Sequence, residues 1–322
     1  MHRMSWPRRL WAGRTRRWIA AGTLGVAVLA TYASISFLIA QGLTRADRDP
    51  QEDHPARHGV IAEDVEFRSR GGDVMLSGWY LGGDPAAIPG DDRAPPAVVF
   101  VHGLNSVRSA HGAVELAARL VDLGYAVLLF DLRGHGSSGD APVSGGYFER
   151  WDVLGAYDYL VDERGHAPGD VGVIGFSMGA ASAILAAAIE PGIAAIVADS
   201  PYASATELLA REAARETPLP GWLTPVFIPA TELLADLVYG IDVGALEPQR
   251  VVARLAYPLL VIHSAADRRI PVGHGERVAK AARAGTVLWT TAGAGHVDSY
   301  TAFPDGYVER VAAYLAERRP AR

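Results

Sequence analysis

The sequence predicts an α/β fold: a mostly parallel central sheet with helices on both faces and a small helical cap, preceded by one N-terminal transmembrane helix. Three observations lead to this prediction. Short apolar runs alternate with helical patterns from residue 97 to residue 318, and one stretch at 203–250 interrupts the alternation. An uncharged apolar run also lies close to the amino terminus. Strands covered on both faces form continuous apolar runs, and helices connect them.

The composition is that of a folded chain and limits the sites it can hold. The chain has 322 residues, of which 49% are hydrophobic and 20% charged, enough for a sizeable core. It contains no cysteine, which excludes disulfides, thiolate metal sites and cysteine nucleophiles. There is no His-Glu-x-x-His motif, and the ten histidines are scattered without metal-ligand spacing. We therefore expect neither a metal nor another cofactor.

Charge is distributed unevenly along the chain. Residues 1–17 hold six arginines and no acidic residue. The rest of the chain then has 24 basic against 36 acidic residues, a formal charge of −12. Because an acidic domain repels phosphates, no nucleic-acid partner is expected.

Residues 18–40, WIAAGTLGVAVLATYASISFLIA, predict a membrane-spanning helix. They carry no charge, and about 20 apolar residues are enough to cross the hydrocarbon core. The basic tail at 1–17 favours a cytoplasmic amino terminus. We expect a single-pass signal anchor in the cell membrane, a polar linker at 41–59, and an extracytoplasmic domain over 60–322.

A cleaved signal peptide is the alternative interpretation, since it has the same order of basic and apolar segments. The apolar run exceeds the ~7–15 residues of a usual signal-peptide core, which favours an uncleaved anchor. Cleavage would follow Ala33 or Ala40 and leave a mature chain that begins at Ser34 or Gln41. A third interpretation, a buried core helix, is opposed by the flanking arginines.

The remaining elements follow from pattern. Two alternating runs around Gly71-Gly72 predict a β-hairpin within 65–81, and a loop rich in Gly, Pro and Asp follows at 82–96. Residues 203–250 contain Pro218, Pro220, Pro225 and Pro229 among amphipathic pieces and are predicted to form the cap. Parallel strands are predicted at 97–101, 125–130, 171–176, 193–198, 258–263 and 286–291, and helices at 111–123, 149–164, 179–189, 272–284 and 304–318.

The stretch from Gly175 to Gly179, GFSMG, has the pattern G-x-S-x-G and lies between a predicted strand and a helix. This is the context of a nucleophile elbow, in which glycines let strand and helix approach closely around an exposed serine. Ser177 is therefore the predicted nucleophile. The alternative is that Ser177 only caps the following helix.

A serine hydroxyl needs a base to accept its proton, and the base needs an acid to orient it. His296 follows the strand at 286–291 in a Gly-rich loop, and Asp267 follows the strand at 258–263. We assign them as base and acid, with Asp199 as the second candidate acid. Asp267 could instead pair with a neighbouring arginine.

Acyl transfer also needs N–H donors for the oxyanion. We predict the backbone N–H groups of Met178, directly after the nucleophile, and of Leu104 in the loop HGLN (102–105). His102 in that loop is expected to make structural hydrogen bonds.

Five motifs in this order, VFVHGLN, LLFDLRGHGSSG, VIGFSMGA, VIHSAADRRIP and GAGHVDSY, resemble those of α/β-hydrolase fold serine hydrolases. The resemblance covers roughly residues 60–318, and within that superfamily the chain is similar to Bem46-like (ABHD13/ABHD17-like) hydrolases and serine aminopeptidase-type domains. It implies hydrolysis of an ester, thioester or amide through an acyl-enzyme, with the roles given above. The chain departs at Ser264, where relatives usually have glycine. The loop at 131–139 is expected to contribute structure and pocket wall.

The predicted function is that of a membrane-anchored serine hydrolase acting on an ester or thioester of a small or acyl substrate. Apolar cap residues suggest an apolar substrate group, or simply pack the cap on the sheet; they are Trp222, Leu223, Phe227, Leu233 and Leu234. An aminopeptidase-type enzyme is the alternative, with Glu207, Glu212 or Glu232 binding the substrate amine. A non-catalytic binding domain on the same fold is the third possibility.

Overall fold

An eight-stranded sheet forms the centre of the computed structural model, which describes residues 8–72, 74–82 and 95–318. Its order is β1-β2-β4-β3-β5-β6-β7-β8, with β2 antiparallel to both neighbours and all pairs from β4 to β8 parallel. The strands are β1 (Glu63–Arg68), β2 (Met75–Leu81), β3 (Ala97–Val101), β4 (Ala126–Phe130), β5 (Val171–Phe176), β6 (Ile193–Asp199), β7 (Leu260–Ser264) and β8 (Val287–Thr291).

Ten α-helices lie before, between and after these strands in the described part of the chain. They are α1 (Arg8–Leu43), α2 (Ala113–Asp122), α3 (Glu149–Asp158), α4 (Met178–Ala187), α5 (Ala205–Glu216), α6 (Thr224–Tyr239), α7 (Pro248–Val251), α8 (Gly273–Ala281), α9 (Ser299–Ala302) and α10 (Pro304–Arg318). The predicted fold class is therefore confirmed.

Both faces of the sheet are covered, which explains the continuous apolar strands. On one face, Val99 and Leu128 pack in a buried cluster with residues of α3, α4 and α8. On the other face, Val98 and Leu129 pack with residues of α2 and α10. Successive strand residues thus enter opposite cores, as the alternation of side chains along a strand requires.

The predicted strands agree with the observed ones to within two residues. The hairpin at 65–81 forms β1 and β2, paired antiparallel. The helix predicted at 149–164 is α3 followed by a π-helical turn, Tyr159–Glu163. Residues 1–7 of the basic tail and most of the loop at 82–96 lie outside the described residues.

Residues 203–250 form α5, α6, α7 and a short 3₁₀ turn, Val243–Ala245. We call α5 and α6 the cap. The cap lies over the carboxyl end of β5, because its residues line a cavity together with Ser177 and Met178. Ligands of open parallel sheets bind at this edge.

Helix α1 is long and apolar enough to cross a membrane from Arg16 to Leu43. Residues 16–31 are exposed throughout, which contradicts the interpretation as a buried core helix. The following polar segment is not a free linker. The carbonyl of Thr44 accepts the N–H of Val143 at 3.0 Å, and the N–H of Glu52 donates to Ser109 Oγ at 2.8 Å.

Candidate active site

Ser177 lies in the turn between β5 and α4 with a left-handed backbone, at φ 55° and ψ −117°. The two flanking glycines are required by close packing. A Cβ at Gly175 would lie 2.5 Å from the carbonyl oxygen of Gly179, and one at Gly179 would lie 2.2 Å from that of Val101. This strained turn points the serine side chain away from the helix backbone, as expected of an elbow.

The Ser177 hydroxyl does not cap α4, because it accepts no hydrogen bond from the first backbone N–H groups of that helix. Its Oγ lies 2.8 Å from Nε2 of His296, and Nδ1 of His296 lies 2.7 Å from Oδ2 of Asp267. The structure therefore brings together the serine, histidine and aspartate that the sequence singles out. Donation from Nδ1–H to the carboxylate leaves Nε2 free to accept the serine proton.

Asp267 is held in place from both sides. Its Oδ1 accepts the backbone N–H groups of Arg269 and Ile270, each at 2.9 Å. Burial alone would raise the pKa of Asp267, but hydrogen bonds from His263 and His296 hold that pKa below its usual range. The carboxylate thus stays ionised opposite the imidazole. The alternative, that Asp267 pairs with Arg268 or Arg269, does not hold: in the described part of the chain its carboxylate forms no ion pair with either arginine, and Arg269 pairs with Glu212 at 3.0 Å.

His263 is a buried residue that the sequence analysis left without a role. Its Nε2 lies 2.9 Å from the carbonyl oxygen of Ile270 and 3.4 Å from Oδ2 of Asp267. Because a carbonyl only accepts, Nε2 carries the proton and faces the carboxylate. The short spacing of four residues between His263 and Asp267 is the sequence feature that could have indicated this contact.

Ser264, the departure from the family pattern, fits its position. Its backbone does not have a positive φ, so a side chain is tolerated there. Its Oγ donates to the carbonyl oxygen of Ala294 at 2.5 Å. This bond ties β7 to the loop that carries His296.

Asp199, the second candidate acid, does not contact His296. Its carboxylate accepts hydrogen bonds from Ser200 Oγ at 2.9 Å and from the Tyr307 hydroxyl at 3.0 Å. Burial raises the pKa of Asp199 to about 6. Its contacts are those of a structural residue beneath the site.

Leu104 and Met178 lie beside Ser177 and line the same cavity. The loop passes close to the nucleophile, since a Cβ at Gly103 would lie 3.2 Å from Ser177 Cβ. Neither the Leu104 N–H nor the Met178 N–H donates to another group in the described part of the chain. Both remain available to an oxyanion.

Two buried histidines fix the loop that contains Leu104. His102 Nε2 accepts the N–H of Leu132 at 2.9 Å, so its Nδ1–H donates to the carbonyl of Gly103 at 2.8 Å. Burial lowers the pKa of His102 to about 3, which keeps it neutral. His135 Nε2 accepts the N–H of Asn105 at 3.3 Å. The predicted structural role of His102 agrees with this geometry.

A mostly apolar cavity of about 130 Å³ adjoins Ser177. Its size is close to the ~150 Å³ apolar cavity known to hold benzene, so it accepts a small apolar group. The walls include residues 143–145, whereas the predicted wall at 131–139 does not line it. Instead, Asp131 in that loop accepts the N–H of Arg108 at 2.8 Å and supports the loop structure.

The cap residues predicted to face substrate do not line this cavity. Leu223 and Phe227 pack against α1, and Trp222 and Leu233 are exposed. The cap walls are formed instead by Ala205, Leu208, Leu209, Glu212, Thr231 and Ala235. The alternative, that the predicted residues serve packing, holds for Leu223 and Phe227.

Comparison with known proteins places this geometry in a family. The sequence model described as "Alpha/beta hydrolase family" matches residues 98–310, a span that begins within β3 and includes β4 to β8. The chain belongs to the alpha/beta hydrolase family. Membership in this family and esterase neighbours support hydrolase activity.

This alpha/beta hydrolase is 29% identical to YqkD of Bacillus subtilis over 306 residues, 92% of this chain and 96% of that protein. It is 32% identical to Rv2307c of Mycobacterium tuberculosis over 246 residues, 76% of each chain. Among solved structures it is similar to the Pyrococcus furiosus esterase Pf2001. That likeness has a TM-score of 0.67 and 28% identity, and it covers 86% of this chain and 100% of the esterase.

Proposed function

We propose that this alpha/beta hydrolase is a membrane-anchored serine hydrolase that cleaves an ester or thioester through an acyl-enzyme on Ser177. The observation that carries the proposal is the line of hydrogen bonds from Ser177 through His296 to Asp267, beside an apolar cavity. Similarity to a protein named as an esterase supports the ester as the substrate bond.

Acylation begins with attack of Ser177 Oγ on the substrate carbonyl carbon, while His296 Nε2 takes the serine proton. Asp267 stabilises the imidazolium that forms. The carbonyl oxygen becomes an oxyanion that accepts hydrogen bonds from the N–H groups of Leu104 and Met178. When the tetrahedral intermediate collapses, His296 gives its proton to the leaving alcohol or thiol.

Deacylation repeats these steps with water as the nucleophile. His296 Nε2 takes a proton from water, whose oxygen attacks the acyl carbonyl. The ester bond to Ser177 then breaks, and Oγ recovers the proton from His296. The products are a carboxylic acid and the alcohol or thiol, and the reaction as written uses no cofactor.

The three candidate glutamates are poorly placed to bind a substrate amine in the cavity, which argues against the aminopeptidase alternative. Glu207 makes a bidentate ion pair with Arg277, at 2.6 and 2.7 Å, and does not line the cavity. Glu232 lies outside the cavity as well. Glu212 does line it, but its carboxylate pairs with Arg269 at 3.0 Å. An ester needs no such acid.

The membrane anchor in the proposal is supported by the exposed apolar surface of α1 over residues 16–31. An exposed apolar helix long enough to span a bilayer favours a lipid environment. The basic residues before it favour a cytoplasmic tail, with the catalytic domain outside the cytoplasm. Cleavage after Ala40 would remove a residue that lines the cavity, which further favours retention.

A hydrolysis panel tests this function. The purified full chain is assayed on acyl esters, acyl thioesters and aminoacyl amides, with Ser177→Ala as the control. We expect turnover of esters or thioesters and its loss in the variant. Turnover of amides alone would support the peptidase, and no turnover of any substrate would support a binding domain.

A further inference from the structure

The last turns of α1 are covered by the cap, whereas residues 16–31 are exposed. The Tyr32 hydroxyl donates to the carbonyl of Val226 at 2.9 Å, and its ring stacks on Phe227 at 5.3 Å. Four residues later, Ser36 Oγ donates to the carbonyl of Phe227 at 3.4 Å. Thr231 Oγ1, one turn further along α6, donates to the carbonyl of Ser36 at 3.4 Å. Helix α6 therefore begins beside Tyr32 and runs in the same direction as α1.

The covered stretch lies within the span predicted to cross the membrane, residues 18–40. The uncovered part, residues 18–31, gives about 21 Å of helix at ~1.5 Å per residue. A hydrocarbon core is about 30 Å thick, and tilt only shortens the projected length. Residues 32–40 must supply the remainder. The start of α6, which packs on them, then lies at the depth of the acyl chains.

The segment of the cap at this depth has the composition of a membrane-contacting surface. Residues 217–231, TPLPGWLTPVFIPAT, contain no charged side chain, and we call them the cap tip. Trp222 is 78% exposed and Val226 is 55% exposed. The four prolines in the tip have no N–H group, which lowers the number of donors that a lipid environment would leave unpaired.

The catalytic cavity extends to the same junction. Ala40 and Leu43 of α1, with Thr44 directly after the helix, line it together with Thr231 and Ala235 of α6. The anchor is thus part of the cavity wall at the point where it leaves the predicted span.

The orientation of the domain on its anchor is fixed by the segment that follows α1. The Arg48 guanidinium donates to the carbonyls of Gly136 and Ser138 at 3.0 and 2.8 Å. The carbonyl of Thr44 accepts the N–H of Val143, a cavity residue, at 3.0 Å. The cavity therefore keeps its position relative to the membrane.

We propose that the cap tip is embedded in the leaflet beside α1, and that the substrate is a membrane-resident lipid ester. The part of its acyl chain next to the carbonyl passes from that leaflet into the cavity between α1 and α6, and its carbonyl reaches Ser177 without crossing water. The substrate half of this inference rests on the proposed function, because it names the class of ester which that site hydrolyses.

The embedding is tested by fluorescence quenching in proteoliposomes of phosphatidylcholine and phosphatidylglycerol that hold the full chain. Because the chain has no cysteine, Trp222→Cys, Val226→Cys and Leu123→Cys each give one labelling site for an environment-sensitive fluorophore. Leu123 is the control: it is 45% exposed and precedes β4, so it lies at the amino ends of the parallel strands, opposite the end that carries the cavity. Lipids with a nitroxide on the acyl chain should quench labels at 222 and 226 but not at 123. Equal quenching at the three positions would overturn the embedding.

The lipid substrate is tested in the same vesicles with 4-methylumbelliferyl decanoate dissolved in the bilayer and 4-methylumbelliferyl acetate in water. For Trp222→Glu combined with Val226→Glu, we expect the ratio of decanoate to acetate hydrolysis to fall about tenfold. Leu123→Glu should keep the wild-type ratio. Because a folding defect lowers both rates, the ratio reports delivery from the membrane, and an unchanged ratio would refute it.

Failure of hydrolysis with both esters in the wild-type protein would refute the proposed function, and with it the lipid substrate. The quenching result decides the embedding of the cap tip in either case.

Discussion

Ser177, His296 and Asp267 reach one another from three loops that follow β5, β8 and β7. Their contacts are made by short side chains, so each loop must hold its residue to within a fraction of an ångström. Two neighbours supply that precision. His263 faces the Asp267 carboxylate, and Ser264 bonds to the loop of His296. Neither His263 nor Ser264 needs to touch the substrate to affect the rate of turnover.

Substitution of the two candidate acids separates their roles. Asp267→Asn should lower kcat by roughly 10³–10⁴-fold, because the imidazole loses its orienting acceptor and its counter-charge. Asp199→Asn should leave kcat close to that of the wild type, since Asp199 does not contact His296. Steady-state kinetics on one ester measure both. A severe loss in Asp199→Asn with little change in Asp267→Asn would reverse the assignment.

Asp199 should also make stability depend on pH. Its pKa in the folded chain is raised to about 6 from the ordinary 3.8, so the folded state holds the proton more tightly than the unfolded state. Stability is then lost as pH rises between these two values. The asparagine variant has no carboxyl at this position and does not lose stability in this way. The free energy of unfolding of Asp199→Asn minus that of the wild type should therefore rise by roughly 2 kcal/mol from pH 4 to pH 7. Urea unfolding at both pH values measures it, and a pH-independent difference would contradict the prediction.

Among the elements, the strand–turn–helix of β5 and α4 carries the tightest packing at the site. Gly179→Ala would place a Cβ 2.2 Å from the carbonyl oxygen of Val101, which must move and disturb the neighbouring oxyanion loop. Such overpacking costs about 1–3 kcal/mol, and we expect a loss of activity with it. Gly273→Ala at the start of α8 is the matched control, because nothing lies within 4 Å of its Cβ. Urea midpoints and ester turnover measure both variants, and wild-type values for Gly179→Ala would show that the close approach is not needed.

The sheet and the positions of the candidate site residues at the strand ends could be predicted because their signals are local. Strands such as β3 and β5 are continuous apolar runs, and Ser177 has its glycines beside it in the sequence. The cavity walls could not be predicted in the same way. The helical period of α5 and α6 indicates which residues share a face, but not which neighbour that face meets. Phe227 consequently packs on Tyr32, far away in sequence, rather than in the cavity.

At the scale of the whole molecule, helix α1 and the hydrolase domain form one structure. The composition predicts a separate anchor, linker and domain, yet Ala40, Leu43 and Thr44 line the cavity, and hydrogen bonds join residues within 44–52 to loops of the domain. These contacts join segments that are far apart in the chain, so no local sequence pattern indicates them. Removal of α1 would therefore remove part of the cavity as well as the proposed membrane anchor.

The most direct test of the proposed function is fluorophosphonate labelling of washed membranes from cells that express the full chain. The probe reacts with an activated serine, and peptide mass spectrometry locates the adduct. We predict an adduct on Ser177 of an uncleaved chain in the membrane fraction, and none in Ser177→Ala. Labelling of Ser177→Ala as strong as that of the wild type would contradict the nucleophile. A labelled soluble form that begins near Ser34 or Gln41 would contradict the anchor.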